Sequence, residues 1–256
     1  MYEAVHARPD GDSTAARLAL TAAECGFDGI VLRNHGDAHH DADCERIREA
    51  YGIDVVDAVE VRAEDPSRAS GFVGNYRPET TLVCVHGTNE AINRFAVEQP
   101  AVDVLAHPMT AGDFNHVLAA AAADNGVRVE FSLRRVLRAE GGRRVQAIAD
   151  LRKLRELVAD ADAPYVVSAD PTSHLHLRAP RELVAVGEAV GLTADEVEHG
   201  LAEWGRLAER NRERAADAFV EPGVRLGPAD DAVDEAADAE RSGPDGAVDG
   251  DGDDER

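Results

Sequence analysis

Histidine and carboxylate side chains follow several apolar segments of this chain, where they could bind a metal ion or transfer protons. Six of them fall at or near the ends of predicted strands: His6, His35, Glu60, His86, His107 and Asp170. If these strands form one parallel barrel, their ends meet at one rim and the side chains converge. Imidazole and carboxylate groups in such a ring can hold Zn or Mn and activate water. Metal-dependent hydrolysis is therefore one hypothesis.

This pattern is similar to that of the polymerase-and-histidinol-phosphatase (PHP) superfamily of barrel phosphoesterases, but two ligand pairs are incomplete. The superfamily carries His-x-His on the first strand, and this chain has Val5-His6-Ala7-Arg8. The superfamily carries Asp-x-His on the last strand, and this chain has Asp170-Pro171-Thr172. We therefore predict no metal, no tightly bound cofactor and no catalytic residue. The rim is interpreted as a vestigial site whose side chains only form hydrogen bonds, with the candidates His6, His35, His107 and Asp170. A stand-alone metal-dependent phosphoesterase is the alternative.

Nucleophilic catalysis has little support in the sequence. Ser132, Ser168 and Cys84 are the candidate nucleophiles, and no Gly-x-Ser-x-Gly elbow surrounds either serine. Serines at strand ends more often cap the following helix.

Arginine residues are concentrated after strand ends, although the chain as a whole is acidic. Guanidinium groups pair with phosphate in a bidentate geometry, so the set favours contact with RNA. The candidates for RNA binding are Arg33, Arg68, Arg134, Arg135 and Arg178. Any one of them could instead offset neighbouring carboxylates. Because aromatic residues make up only 4% of the chain, recognition would depend on RNA backbone and shape rather than base stacking.

The charge composition indicates adaptation to high salt. The net charge of the 256 residues is -23, and Lys153 is the only lysine. An acidic protein of ordinary habitat with a charged tail is the alternative. At molar salt the Debye length is roughly 3 Å, so the net charge does not exclude an RNA partner.

Cysteine usage and hydropathy predict a cytoplasmic protein that does not enter a membrane. Cys25, Cys44 and Cys84 are not clustered and lack metal-ligand spacing, as expected of free thiols in a reducing compartment. No segment has the roughly 18 apolar residues of a membrane span, and the N-terminus lacks the pattern of a signal peptide.

Short apolar segments alternate with helical segments, which is typical of parallel β/α architecture. The apolar segments lack polar alternation, as expected for strands buried on both faces. We predict a distorted TIM-like (β/α) barrel of about seven strands over residues 1–220. Residues 63–79 are predicted as an irregular excursion containing Pro, Gly and Ser. Residues 221–256 hold 13 acids and three arginines and are predicted to be a disordered acidic tail.

Four segments, in order, resemble the archaeal ribonuclease P protein component 3 family, whose members are subunits of about thirty kilodaltons. They are Gly26-Phe27-Asp28-Gly29-Ile30, Ala106-His107-Pro108, Val129-Glu130-Phe131, and the stretch from Val167-Ser168-Ala169-Asp170 to Leu177-Arg178-Ala179-Pro180. The resemblance extends over about residues 1–215, and the acidic composition suggests a haloarchaeal source.

The resemblance implies a PHP-related barrel without a complete metal site. It also implies a role as a protein subunit of ribonuclease P, which removes the 5′ leader from precursor tRNA. In that family the RNA subunit supplies the active site and uses Mg. The expected partners are ribonuclease P RNA, precursor tRNA, a small protein subunit of ferredoxin-like fold and the other ribonuclease P proteins. A protein scaffold that does not depend on RNA is a third hypothesis.

Overall fold

The computed structural model describes residues 1–110 and 114–216, together with the backbone of two short strands that follow. The chain divides into a unit Met1–Ala215 and a unit Ala216–Arg256. In the second unit, strands β8 (Phe219–Glu221) and β9 (Val224–Arg225) pair antiparallel. The predicted tail at 221–256 otherwise lies outside the described residues.

The first unit is built on seven parallel strands in sequential order, each paired with the next. They are β1 (Tyr2–Val5), β2 (Gly29–Leu32), β3 (Asp54–Val61), β4 (Leu82–His86), β5 (Val104–Ala106), β6 (Arg128–Ser132) and β7 (Tyr165–Ser168). Because each connection returns to the same end of the sheet, all seven carboxyl ends lie at one mouth. The predicted barrel of about seven strands is confirmed.

Nine helices surround the strands in the described part of the first unit. They are α1 (Ala15–Cys25), α2 (Cys44–Tyr51), α3 (Pro66–Tyr76), α4 (Glu90–Glu98), α5 (His116–Asn125), α6 (Arg134–Arg138), α7 (Gly141–Asp160), α8 (Pro180–Val190) and α9 (Ala194–Ala215). No helix in the described ranges is long and apolar enough to cross a membrane.

The prediction of an irregular excursion at 63–79 is wrong, because α3 occupies its centre. The Asp65 side chain accepts a hydrogen bond from the Arg68 amide at 3.0 Å and caps the helix. Pro66 takes the first helical position, where its missing N–H costs nothing. The Asp-Pro pair is a signal for the start of a helix, but the Ser and Gly residues that follow this pair are more typical of a loop.

Strand alternation divides the core into two layers. Outward-facing residues pack against the helices, while a smaller inner cluster contains Ala4, Val31, Ala58, Cys84 and Val166 with other strand residues. Helix α9 closes the end of the barrel opposite the mouth. It adds Trp204, Leu207 and Ala208 to the inner cluster, and the Trp204 indole N–H donates to the carbonyl of Val167 at 3.0 Å.

Strands β1 and β7 lie next to each other where the barrel closes, at a seam that is held differently from the other strand pairs. No β-ladder joins these two strands in the described chain. Instead one oxygen of the buried Glu3 carboxyl group accepts hydrogen bonds from the amides of Ala4 (3.1 Å) and Ala169 (2.9 Å). The His6 amide also donates to the carbonyl of Pro171 at 3.0 Å. Helix α9 packs against both strands and covers the seam.

Candidate functional site

Inward-facing positions change from apolar to charged at the carboxyl ends of the strands. Alternate residues of a strand face the same side. Two residues beyond inner-cluster Val31 lies Arg33, and two residues beyond inner-cluster Ala58 lies Glu60. The same spacing places His6, His86 and Ser168 two residues beyond inner-cluster Ala4, Cys84 and Val166, with Asp170 two residues further on. Glu130 on β6 also faces the mouth, where it contacts Arg33.

Arg33 lies at the centre of this cluster and has no accessible surface. Its guanidinium nitrogens lie 2.7 Å from Glu130, 3.1 Å from Asp170 and 3.4 Å from Glu60, as N–O distances. The Cζ atom also stands 5.6 Å from the ring centre of Trp204, within cation–π range. Burial alone would lower the pKa of this guanidinium, but the three carboxylates raise it well above its ordinary value. Arg33 is therefore a permanent internal cation.

The prediction that Arg33 contacts RNA is therefore wrong for this structure. A guanidinium with no accessible surface cannot reach a phosphate, and its charge is already paired inside the barrel. Arg33 does follow a strand, as predicted, but its side chain faces inwards rather than towards the rim.

Asp10 fixes two of the rim histidines. One carboxylate oxygen of Asp10 lies 2.6 Å from Nδ1 of His6 and 2.8 Å from Nδ1 of His35. Nε2 of His6 lies 3.0 Å from Asp170, so its ring bridges two carboxylates. Burial alone would lower the pKa of His6, but hydrogen bonds to Asp10 and Asp170 raise it to about 9. His6 is therefore a second internal cation at neutral pH.

The other rim histidines, His86 and His107, lie beside Glu60. His86 hydrogen-bonds to Glu60 through Nδ1, and the rings of His86 and His107 stand 4.6 Å apart. Nε2 of His107 lies 3.5 Å from Asp170. Burial alone would raise the pKa of Glu60, but Arg33 and then the histidines hold it well below its ordinary range. The structure thus brings together all the predicted rim candidates, His6, His35, His107 and Asp170.

The inner carboxylates of the mouth do not fit a metal centre well. Donor atoms of His35, Glu60 and His86 do lie within 4.8 Å of one another. However, the second oxygen of Glu60 faces the buried guanidinium of Arg33, which would repel a divalent cation bound to the same carboxylate. The prediction that this rim holds no metal stays a prediction.

Three arginines form a cationic patch beside the mouth, which we call the arginine cluster: Arg134, Arg138 and Arg178. Arg134 donates to the Asp170 carboxylate at 3.2 Å, and Arg138 donates to the Asp170 carbonyl at 2.9 Å. Arg178 donates to the carbonyl of Leu177 at 2.7 Å and is exposed. Among the salt bridges of the described residues, neither Arg138 nor Arg178 has a carboxylate partner. Arg178 is exposed, whereas Arg138 is half-buried with a buried Nη2.

The pKa of His176 reflects how close these positive charges lie to one another. Burial and then the charges of Arg138 and Arg134 lower its pKa, with Arg178 contributing in the same direction. Arg138 is itself affected: burial and the charge of Arg134 lower its pKa. Cations crowded together in this way favour an anionic ligand that can neutralise them.

The remaining RNA-binding candidates lie elsewhere on the surface. Arg68 on α3 is 67% exposed, with Glu64 and Asp65 each 3.8 Å away. Arg135 is 48% exposed and pairs with Asp150 at 2.9 Å. The structure therefore joins Arg134 and Arg178 in one cluster and leaves Arg68 and Arg135 beside their own carboxylates.

Sequence reasoning missed several groups of the site. Asp10 lies in a loop and carries no strand signal, although its spacing of four from His6 was visible. Glu130 was noticed within a strand segment but not assigned to the mouth, and its carboxylate accepts a hydrogen bond from Ser168 at 2.6 Å. Arg138 is not among the predicted RNA-binding residues, because its contact with the Asp170 carbonyl depends on the fold.

The fold and site together define a parallel β/α barrel whose inward-facing carboxylates are neutralised by an arginine. The sequence profile of the family described as RNase P subunit p30 matches residues 1–216. The chain is 67% identical to ribonuclease P protein component 3 of Haloarcula marismortui, covering 94% of this chain and 100% of the relative. It is 51% identical to the protein of the same name from Halobacterium salinarum, covering 89% and 97%.

The chain therefore belongs to the RNase P subunit p30 family and is a protein subunit of ribonuclease P. This confirms the resemblance found in the sequence. The haloarchaeal relatives also agree with the acidic, lysine-poor composition as a halophilic trait.

Solved structures support the fold assignment. A chain from the cryo-EM structure of archaeal ribonuclease P with mature tRNA superposes with a TM-score of 0.77 at 20% identity, covering 90% of this chain and 99% of that one. A histidinol phosphate phosphatase from Lactococcus lactis, complexed with zinc, L-histidinol and phosphate, gives 0.51 at 10% identity, covering 75% and 94%. At these identities the likeness concerns the fold alone.

Proposed function

We propose that this subunit holds ribonuclease P RNA in its active geometry while the RNA removes the 5′ leader of precursor tRNA. The observation that carries the proposal is the arginine cluster beside a barrel mouth whose own acids are already paired. Arg178 offers an exposed guanidinium, and the half-buried Arg138 beside it adds positive charge; neither has a carboxylate partner among the described salt bridges, on a chain of net charge -23. Such groups suit RNA phosphates, and each phosphate contact adds roughly 0.7–0.9 to the salt dependence of binding.

The bond-breaking step is assigned to the RNA subunit rather than to this chain. The mouth carboxylates that could act as a base or a metal ligand are engaged by Arg33 and His6. A carboxylate held between buried cations is a weak base and a poor partner for substrate. The Mg requirement is accordingly assigned to the RNA of the holoenzyme.

The partners follow from the same assignment. The neighbour of highest TM-score quoted above is a chain of archaeal ribonuclease P with mature tRNA. We infer that this chain likewise assembles with ribonuclease P RNA, precursor tRNA, a small ferredoxin-like subunit and the other protein subunits, in the cytoplasm.

Reconstitution at high salt tests the assignment directly. Precursor tRNA is incubated with the cognate RNA and the small partner protein, with this chain added or omitted. The expected result is a faster reaction or a lower magnesium requirement with the chain, and no hydrolysis by the chain alone. If the chain leaves the RNA reaction unchanged and hydrolyses a phosphate ester with added Mn, the proposal fails in favour of a stand-alone phosphoesterase.

The arginine cluster is tested with Arg178→Ala. This variant removes an exposed cation whose only described contacts are neighbouring carbonyls, so the barrel keeps its stability. The expected result is weaker assembly with RNA and a salt slope lower by roughly 0.7–0.9. Arg94→Ala is the matched control, because Arg94 is exposed on α4 and already paired with Glu90. Equal RNA affinity for the two variants would exclude Arg178 from the RNA contact.

A further inference from the structure

Another group of side chains that could hold a metal ion lies outside the barrel mouth. His39 and His40 belong to the loop between β2 and α2, and Asp57 lies on β3. Asp57 is half-exposed and precedes inward-facing Ala58, so it points to the outer side of the barrel. One donor atom from each of the three residues lies within 4.8 Å of the others.

The distances between the donor atoms suit a single metal ion. Nε2 of His40 lies 3.0 Å from Oδ1 of Asp57, and Nε2 of His39 lies 4.0 Å from the same oxygen. Bonds of roughly 2.0–2.2 Å in a tetrahedral zinc site place neighbouring ligand atoms about 3.3–3.5 Å apart. The two distances lie on either side of this range, so small side-chain rotations complete the arrangement.

Hydrogen bonding leaves one buried polar atom of each of the three residues unsatisfied. The side chain of His40 is only 4% exposed, and its Nε2, although 3.0 Å from Oδ1 of Asp57, makes no contact with hydrogen-bond geometry among the described residues. Nδ1 of His39 and Oδ1 of Asp57 are also buried atoms without a hydrogen bond there. Buried polar atoms are rarely left without partners, so three in one place indicate a missing ligand.

The surrounding charges favour a cation at this position. Two arginines of the neighbouring helices, Arg48 and Arg212, both pair with Asp54, at 3.0 and 2.8 Å. In the described chain, the salt bridges of Asp57 involve only the two histidines. Asp41 and Asp43 add negative charge in the same loop. No arginine therefore occupies the site, unlike the barrel mouth, where Arg33 does so.

We propose that His39, His40 and Asp57 bind one zinc ion that ties the loop before α2 to strand β3. Two imidazoles and one carboxylate are a zinc ligand set with three protein groups, which leaves the fourth position to water. This site is separate from RNA binding and does not depend on the proposed function. The role of the ion is to fix the loop, because Asp57 belongs to a strand of the barrel and the two histidines belong to the loop.

The test uses the full chain, stripped of metal with a chelator and titrated with zinc chloride by calorimetry and by thermal unfolding. The expected result is one equivalent bound and a melting temperature that rises with zinc concentration. His40→Gln and Asp57→Asn are expected to lose this binding, while His116→Gln, an exposed histidine on α5, retains it. Asp57→Asn preserves the shape of a half-exposed residue, so it gives an answer even if His40→Gln fails to fold.

A further variant separates this site from the mouth. His86→Gln alters the cluster of His35, Glu60 and His86 and is expected to bind zinc as the unmodified chain does. Loss of binding in His86→Gln with retention in His40→Gln would place the metal at the mouth and overturn the proposal. The absence of stoichiometric zinc in the unmodified chain would also overturn it.

Discussion

Replacing Arg33 with Met should destabilise the barrel strongly, because it leaves buried carboxylates without their counter-ion. The guanidinium contacts Glu130 at 2.7 Å, Asp170 at 3.1 Å and Glu60 at 3.4 Å, and all three acids are buried. Removing one partner of a single buried ion pair typically costs about 3–5 kcal/mol. With three carboxylates affected, we expect a loss at the upper end of that range. For a domain of this size the melting temperature should fall by about 10 °C or more.

Urea unfolding followed by circular dichroism in molar salt measures this loss as a free energy of unfolding. Arg68→Met is the matched control, since its side chain is 67% exposed and its nearest acids lie 3.8 Å away. The control should change stability by less than about 0.5 kcal/mol. If Arg33→Met also stays within about 1 kcal/mol of the unmodified chain, the internal ion cluster does not stabilise the barrel and the reasoning is refuted.

Two further predictions concern the seam and the closing helix. Burial raises the pKa of Glu3 from 4.5 to about 8, so the folded protein retains a proton that the unfolded chain releases, and stability should fall between about pH 4.5 and 8. Glu3→Gln should remove this fall, so that the variant becomes more stable than the unmodified chain by several kcal/mol as pH rises. Urea unfolding at a series of pH values measures this, and parallel stability profiles for the two proteins would contradict the prediction. Gly200→Ala should cost about 1–3 kcal/mol, because its Cβ would stand 2.5 Å from a Val167 methyl group. Gly71→Ala on α3 is the control, because nothing lies within 4 Å of the added Cβ, and it should be neutral or stabilising by up to about 1 kcal/mol. Equal melting temperatures for the Gly200→Ala and Gly71→Ala variants would count against the packing argument.

The barrel itself could be predicted from the sequence because its strands are short and mostly apolar. They are largely buried on both faces, so no regular polar alternation obscures them, and the charged residues Glu3, Glu60 and Glu130 within them are buried as well. Helix α3 was missed because its apolar periodicity is weak and its Ser and Gly residues resemble a loop. Only the capping pair Asp65-Pro66 indicated its start.

The site was predictable in position but not in pairing. The rim residues His6, His35, His107 and Asp170 were found because they follow strands. The direction of Arg33 depends on strand alternation, which places it inwards with Val31 and Glu60, and strand boundaries from sequence are too imprecise to decide between the two faces. Which charged side chains pair across the barrel depends on which strands lie opposite each other, and that is known only once the sheet has closed into a barrel.

The way α9 covers the seam has a consequence for how the protein is made. Strand β1 and its cover on α9 are separated by roughly two hundred residues, so their contacts form only after nearly the whole barrel has left the ribosome. Until then β1 and the latest strand present unpaired edges, which favour association with other chains. Contacts over such long sequence separations also form slowly. The dense negative charge of the chain would then keep these unfinished sheets apart during synthesis, as well as keeping the finished protein in solution.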